Sequence, residues 1–128
     1  MITSFANQKV KLIRKLEQKK YRQETRLFFI EGLRTVGEAV QMGAPIESLV
    51  ISPDLLVSEF GQSLLNTPAV ENINKIELSQ EIYEKIAHKE GPQGIGALVR
   101  QNWGKLDDIK VQSSELWVAL DAIADPGN

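Results

Sequence analysis

The sequence contains no cysteine. That excludes disulfides and thiolate metal sites, and it fits a reducing compartment, so a cytoplasmic location is expected. Its one histidine, His88, cannot build a multi-histidine metal centre by itself, and no metal is expected. No apolar run approaches the roughly 20 residues needed to span a bilayer. The N-terminus, MITSFANQKVKL, has no long apolar segment of the secretory kind. No membrane partner is expected. GxGxxG, P-loop and HExxH patterns are missing, and no Ser–His–Asp grouping has support. Carboxylates are numerous but scattered, so an independent hydrolase is poorly supported.

What is present is an ordinary globular composition, 42% hydrophobic and 25% charged over 128 residues. That length suits one domain, or one domain and part of another. The formal net charge of −2 conceals an asymmetry: residues 1–34 carry +6, and residues 35–128 carry −8. A basic segment on an acidic body points to a local polyanion-binding surface.

The chain is organised around Tyr21–Val40, YRQETRLFFIEGLRTVGEAV. Leu27-Phe28-Phe29-Ile30 is too short for a buried helix and reads as a buried strand. Gly32 permits a sharp turn, and Leu33, Val36 and Val40 recur at helical spacing over about 32–42. Upstream, Ser4 or Asn7 can cap a first helix running to about Lys19, with Leu12, Ile13 and Leu16 inward. Lys11, Lys15 and Lys19 share another face of it, continued by Arg22 if the helix persists. That face is either solvated or a docking surface, and Lys20, Arg22 and Arg26 extend the positive segment.

Further strands are expected at Ile46–Ile51, Asn74–Leu78, Ile95–Arg100 and Leu116–Leu120. A third helix starts at Ser52-Pro53 with Leu55, Leu56 and Phe60 inward. Asn66-Thr67-Pro68 is a turn. Ser79 caps a fourth helix over Gln80–His88, with Ile82, Tyr83 and Ile86 inward. Residues 101–114 turn polar and read as a linker. Alternating strands and helices imply an α/β domain with helices covering a mostly parallel or mixed sheet. The last strand has no helix to cover it, so the chain is expected to stop just inside a second domain.

Three segments together resemble the SpoU (TrmH-type) RNA ribose methyltransferases. KKYRQETRLFFIEGLRTVGEAV, with Arg22, Glu31-Gly32, Arg34 and Glu38-Ala39-Val40, resembles the start of their N-terminal substrate-binding domain. GPQGIGALV resembles that domain's Gln93-Gly94 turn and last strand. LWVALDAIADPGN resembles the first catalytic-domain strand and its entry into the first motif, which opens on an asparagine, here Asn128. The resemblance implies a three-layer α/β/α sandwich like that of kink-turn-binding ribosomal proteins over 1–101. A linker would follow over 102–114, then the start of a trefoil-knotted methyltransferase domain over 115–128. It further implies binding of structured RNA, ribosomal before transfer RNA, and methyl transfer from S-adenosylmethionine to a ribose 2′-hydroxyl by a homodimer. The family's hydroxyl-activating arginine would lie beyond Asn128, so this chain alone is expected to bind no S-adenosylmethionine and to be inactive.

The expected RNA contacts are Lys15, Lys19, Lys20, Arg22, Arg26, Arg34 and Gln93. Arginine forks grip phosphate in two directions, which favours the arginines as orienting contacts. Each has a blander reading: Arg34 as a surface pair with Glu38, and Gln93-Gly94 as a tight turn. Glu31 is given a structural role, and His88 ends a helix. Tyr21 is the stacking candidate, Phe28 and Phe29 belong to the core, and Trp103 and Trp117 are assigned to a linker anchor and a buried strand. The alternative is a stand-alone RNA- or protein-binding scaffold module of the kink-turn-binder type.

Overall fold

The computed structural model describes residues 1–88, 90–112 and 114–118. Four strands form one mixed sheet: β1 (Leu27–Glu31), β2 (Ile46–Ile51), β3 (Asn74–Glu77) and β4 (Ile95–Arg100), in spatial order β1-β4-β2-β3. Six helices accompany them among the described residues: α1 (Gln8–Lys15), α2 (Lys19–Thr25), α3 (Leu33–Gln41), α4 (Glu59–Leu65), α5 (Pro68–Glu71) and α6 (Gln80–Ile86).

Strand alternation splits the core in two. On one face Leu27, Val50, Ile76 and Leu98 pack with Val10, Ile13 and Leu16 from the α1 segment and Ile82, Tyr83 and Ile86 from α6. On the other, Leu49, Ile51, Ile95, Ala97 and Val99 pack with Val36 of α3, Leu64 of α4 and Val70 of α5. Burying each such aliphatic side chain contributes about 1.5–3 kcal/mol.

The sheet is mixed and not mostly parallel. β4 runs antiparallel to both β1 and β2, while β2 and β3 pair in parallel. Three strands therefore point one way, and β4 fills the gap between two of them in reverse. The cause lies in α6. The chain enters this seven-residue helix after β3, and at its far side the His88 N–H donates to Glu31 Oε2 at the end of β1 (2.9 Å). β1 and β3 are opposite edge strands that run the same way, so their C-termini lie at the same end of the sheet. The chain thus passes from β3 to the β1 side at that end, and the next strand has to run back.

Four boundaries differ from expectation. The first helix is two: α1 stops at Lys15, and Gln18 is extended before α2. No glycine or proline marks this break. Arg22 Nη1 donates to the carbonyls of Leu16 (2.8 Å) and Glu17 (2.6 Å), taking the place of further helical partners. Secondly, Ser52-Pro53 opens a turn rather than a helix. The Ser52 carbonyl accepts from the N–H groups of Leu55 and Leu56, and Leu56 enters the core. The helix begins later, where the Ser58 hydroxyl caps α4 by accepting from Gly61 N–H, and this leaves Phe60 outward and 54% exposed. Thirdly, Thr67-Pro68 starts the short α5, with proline in its first turn. Finally, α6 ends at Ile86 and not at His88, because Ala87 is extended and the Glu31 carboxylate captures His88 N–H.

After β4 the described chain holds a single 3-10 turn, Leu106–Asp108. Of the strand expected over Leu116–Leu120, residues 116–118 carry no strand and are exposed, and the rest lies outside the described residues, as does Asn128.

Candidate nucleic-acid interface

The N-terminal cations line two clefts. Lys11, Arg14 and Lys15 line the first, with Glu17 and Gln18. Lys19, Arg22 and Arg26 line the second, with Gln23, Gln101 and Trp103; its volume is about 470 Å³. Tyr21 joins them. Lys15 Nζ lies 5.1 Å from its ring centroid and Lys20 Nζ 5.8 Å, both within cation–π range. Two elements that the sequence offers as one helix thereby each place an ammonium group beside a shared aromatic ring.

Arg26 ends α2 in a left-handed conformation at φ 59°. Its carbonyl accepts from Gln101 N–H (2.7 Å), which fixes the residues leaving β4 beside α2. The antiparallel pairing of Leu27 with Arg100 brings the start of β1 and the end of β4 together. Arg100 adds a further cation there, paired with Glu47. Gln101 Oε1 accepts from the Trp103 indole N–H (3.1 Å), and Trp103 is 73% exposed.

The expected contacts do not form one surface. Arg26 precedes β1 and Arg34 follows it, and a rise of about 3.3 Å per residue sets Leu27 and Glu31 about 13 Å apart. At that far end, Arg34 Nε pairs with Glu38 Oε1 (3.0 Å), an exposed helical pair of the kind worth about 0.3–0.5 kcal/mol. Gln93 Oε1 accepts from Leu33 N–H (3.0 Å) and caps α3, whose N-cap residue, Gly32, has no side chain to do so. Glu31, Glu38 and Glu90 make this end less cationic. Arg22 is half-buried, and its Nη1 holds the α1–α2 junction. Lys15, Lys19, Lys20 and Arg26 are exposed, and Lys20 makes a long pair with Glu24 (3.9 Å).

Glu31 is buried, with Oε2 on His88 N–H and Oε1 unpartnered among the described residues. Tyr83 beside it is fully buried, its hydroxyl also unpartnered, and burial followed by the Glu31 charge pushes its pKa well above the usual phenol range. No catalytic arrangement emerges from this pair, which is enclosed in the core. His88 itself is exposed, on the rim of an open groove with Arg22 over Phe29. Among the described residues no cluster of His, Asp or Glu could hold a metal, and no helix is long and apolar enough to cross a membrane.

Sequence reasoning missed Trp103 as part of the basic cleft. Its place depends on the antiparallel β1–β4 register, which no local pattern encodes. Tyr21 is half-buried under its own lysines, so the accessible ring is that of Trp103.

Comparison with known proteins adds a lineage to this geometry. The family model described as the MRM3-like substrate binding domain matches residues 7–97. The chain is 30% identical over 127 residues to the 23S rRNA (guanosine(2553)-2'-O)-methyltransferase RlmP of Bacillus subtilis (strain 168), covering 99% of the chain and 46% of that protein. It is 31% identical over 102 residues to the 23S rRNA (uridine(2479)-2'-O)-methyltransferase of Streptomyces viridochromogenes, covering 79% and 34% respectively. Among solved structures, the AdoMet-bound rRNA methyltransferase from Sinorhizobium meliloti superposes with a TM-score of 0.70 at 32% identity, over 89% of this chain and 41% of that one. A further crystal structure, of an RNA 2'-O ribose methyltransferase, gives 0.73 at 27% identity, over 90% and 43%. The chain thus spans less than half the length of these relatives. From residue 7 to residue 97 it belongs to the MRM3-like substrate-binding domain family.

Proposed function

We propose that this domain recognises structured ribosomal RNA on behalf of an RNA ribose 2′-O-methyltransferase of the SpoU type. The observation that carries the reading is the bridge of Lys15 and Lys20 across Tyr21, which makes one cationic surface of α1 and α2 on an otherwise acidic chain. The names of the relatives supply the substrate class, 23S ribosomal RNA. Lys15, Lys19, Lys20 and Arg26 neutralise phosphates, while Arg22 holds the two helices in register. Arg34 and Gln93 keep their structural contacts at the other end of the sheet. Such a surface reads RNA through backbone shape and through exposed unpaired bases.

In this reading 1–101 is an α/β/α sandwich like those of kink-turn-binding ribosomal proteins, 102–114 a linker, and 115–128 the entry to a knotted catalytic domain, with Asn128 opening its first motif. The full enzyme works as a cytoplasmic homodimer. S-adenosylmethionine would supply the methyl group, but its sulfonium is cationic and the lysine- and arginine-lined clefts repel it. The residues here do not fit that cofactor, so they are assigned binding and orientation of RNA and no step of transfer.

The test is binding to a folded 23S ribosomal RNA fragment across a salt series, beside a Lys15→Glu/Lys19→Glu/Arg26→Glu variant. The native chain should lose affinity linearly in log salt. The variant should bind more weakly, with a slope shallower by about 0.7–0.9 for each phosphate it no longer neutralises. Equal affinities and slopes would make the charge asymmetry a solvated face, and the domain a spacer or protein-docking module.

A further inference from the structure

The second basic cleft contains more than charge. Its lining combines three cations, Lys19, Arg22 and Arg26, with two side-chain amides, Gln23 and Gln101, and one indole, Trp103. Trp103 is 73% exposed, in a segment without regular structure, where burial of so large a ring is the usual outcome. Its ring is nevertheless held, because the indole N–H donates to Gln101 Oε1 (3.1 Å) and the Gln101 backbone is tied to Arg26 (2.7 Å). The cleft volume of about 470 Å³ lies within the roughly 300–1,000 Å³ range of small-ligand sites. A surface that only neutralised a duplex backbone would have no use for a ring presented in this way.

We propose that this cleft takes one unpaired nucleotide of the bound RNA, a subsite that rests on the RNA reading above. The base stacks on the Trp103 indole. Lys19 and Arg26, which line the same cleft, meet the phosphates on either side of it. Gln23 and Gln101 present amide groups that can donate to and accept from a base edge, whereas the lysine-clamped Tyr21 serves only to fix the charges. The subsite therefore selects single-stranded over paired RNA, since a base inside a helix cannot expose its π-face to the ring.

The test uses this chain with Trp117→Phe, so that Trp103 is its only tryptophan. Two RNAs are titrated at the same low salt: an unstructured nine-nucleotide oligoadenylate and a fully paired duplex of equal strand length. The oligoadenylate should quench Trp103 emission, and the duplex should not. In a labelled-RNA binding assay, Trp103→Ala should weaken oligoadenylate binding about 5- to 150-fold, the range found for loss of one stacked base. Trp103→Phe should recover most of it, and duplex binding should be the same in all three proteins. Oligoadenylate binding without quenching, or with equal affinity in Trp103→Ala, overturns the subsite and leaves the RNA reading intact. Loss of duplex and oligoadenylate binding together in Trp103→Ala, not recovered by Trp103→Phe, also overturns it, because the residue would then be structural. If neither RNA binds the native chain while the folded 23S fragment does, the subsite is overturned and the RNA reading stands; if the folded fragment also fails to bind, both fall.

Discussion

Replacing Arg26 with glycine should raise stability and weaken RNA binding at once. Arg26 is the one non-glycine residue at positive φ among the described residues (59°). An L-residue in that conformation costs about 1–2 kcal/mol, which is why helices so often end on glycine there. Glycine removes that cost but adds about 0.4–1 kcal/mol of unfolded-chain entropy. The balance is a stabilisation of about 0.5–1 kcal/mol. The Arg26 carbonyl still accepts from Gln101 N–H in the variant, and its side chain forms no ion pair among the described residues. Urea denaturation should therefore show a higher midpoint at unchanged slope. The same substitution removes one cation from the Lys19–Arg22–Arg26 cleft. Binding to a 23S ribosomal RNA fragment should weaken, with the log–log salt slope falling by about 0.7–0.9. The opposed signs make the test sharp: a strained residue kept for its charge must fail one assay and improve in the other. A destabilised Arg26→Gly, or a stabilised one with undiminished RNA affinity, would overturn this assignment.

Gly94 and Gly91 share a left-handed φ (71° and 63°) but not their surroundings. A Cβ on Gly94 would lie 2.7 Å from Leu55 Cβ and Leu56 N, while one on Gly91 meets nothing within 4 Å. Gly91→Ala should cost about 1–2 kcal/mol in denaturant unfolding and Gly94→Ala a further 1–3 kcal/mol or so; equal costs would contradict the close approach. Gln93→Ala removes the cap on Leu33 N–H and should destabilise by about 0.5–2 kcal/mol while leaving RNA affinity unchanged; a loss of affinity with stability intact would move the RNA surface to that end. Burial and the Glu31 charge raise the Tyr83 pKa in the folded state above the unfolded value near 10. Above pH of about 10 the unfolded chain releases a proton that the folded chain retains, so stability falls as pH rises, by about 1.4 kcal/mol per pH unit until the folded pKa is reached. Tyr83→Phe should abolish that component, as read from unfolding midpoints between pH 9 and 11.5 or so; parallel curves for the two proteins would contradict it.

The elements with strong local signals were legible in the sequence. Leu27-Phe28-Phe29-Ile30 and IGALVR are strands, and the helix after Gly32 lies where its periodicity places it. Contacts between distant segments override local signals elsewhere. Nothing near Leu16 announces a helix break, which depends on Arg22 reaching back to two carbonyls. Ser52-Pro53 has the form of a helix start, yet Gly94 pressed against Ser52 O and Leu56 N holds the segment as a turn. Charge asymmetry singled out the segment that folds as α1 and α2, but the contacts expected from it lie at two ends of a sheet. Arg34 is near Arg26 only along the chain, with β1 between them, and Gln93 joins Leu33 at that far end. Trp103 entered the cleft through the reversed direction of β4, a property of topology rather than of any window of sequence.

Everything proposed for this domain turns on RNA meeting its α1–α2 end and not its α3 end. Backbone amide shift mapping of the 14.3 kDa chain, titrated with a folded 23S ribosomal RNA fragment, addresses this residue by residue. Shifts should concentrate at Lys15, Lys19–Tyr21, Arg26 and Gln101–Trp103, with Leu33–Glu38 and Gly91–Gln93 quiet. Shifts gathered at Gly32–Arg34 and Gly91–Gln93, with the basic clefts unmoved, would place the RNA at the wrong end and sink the proposal.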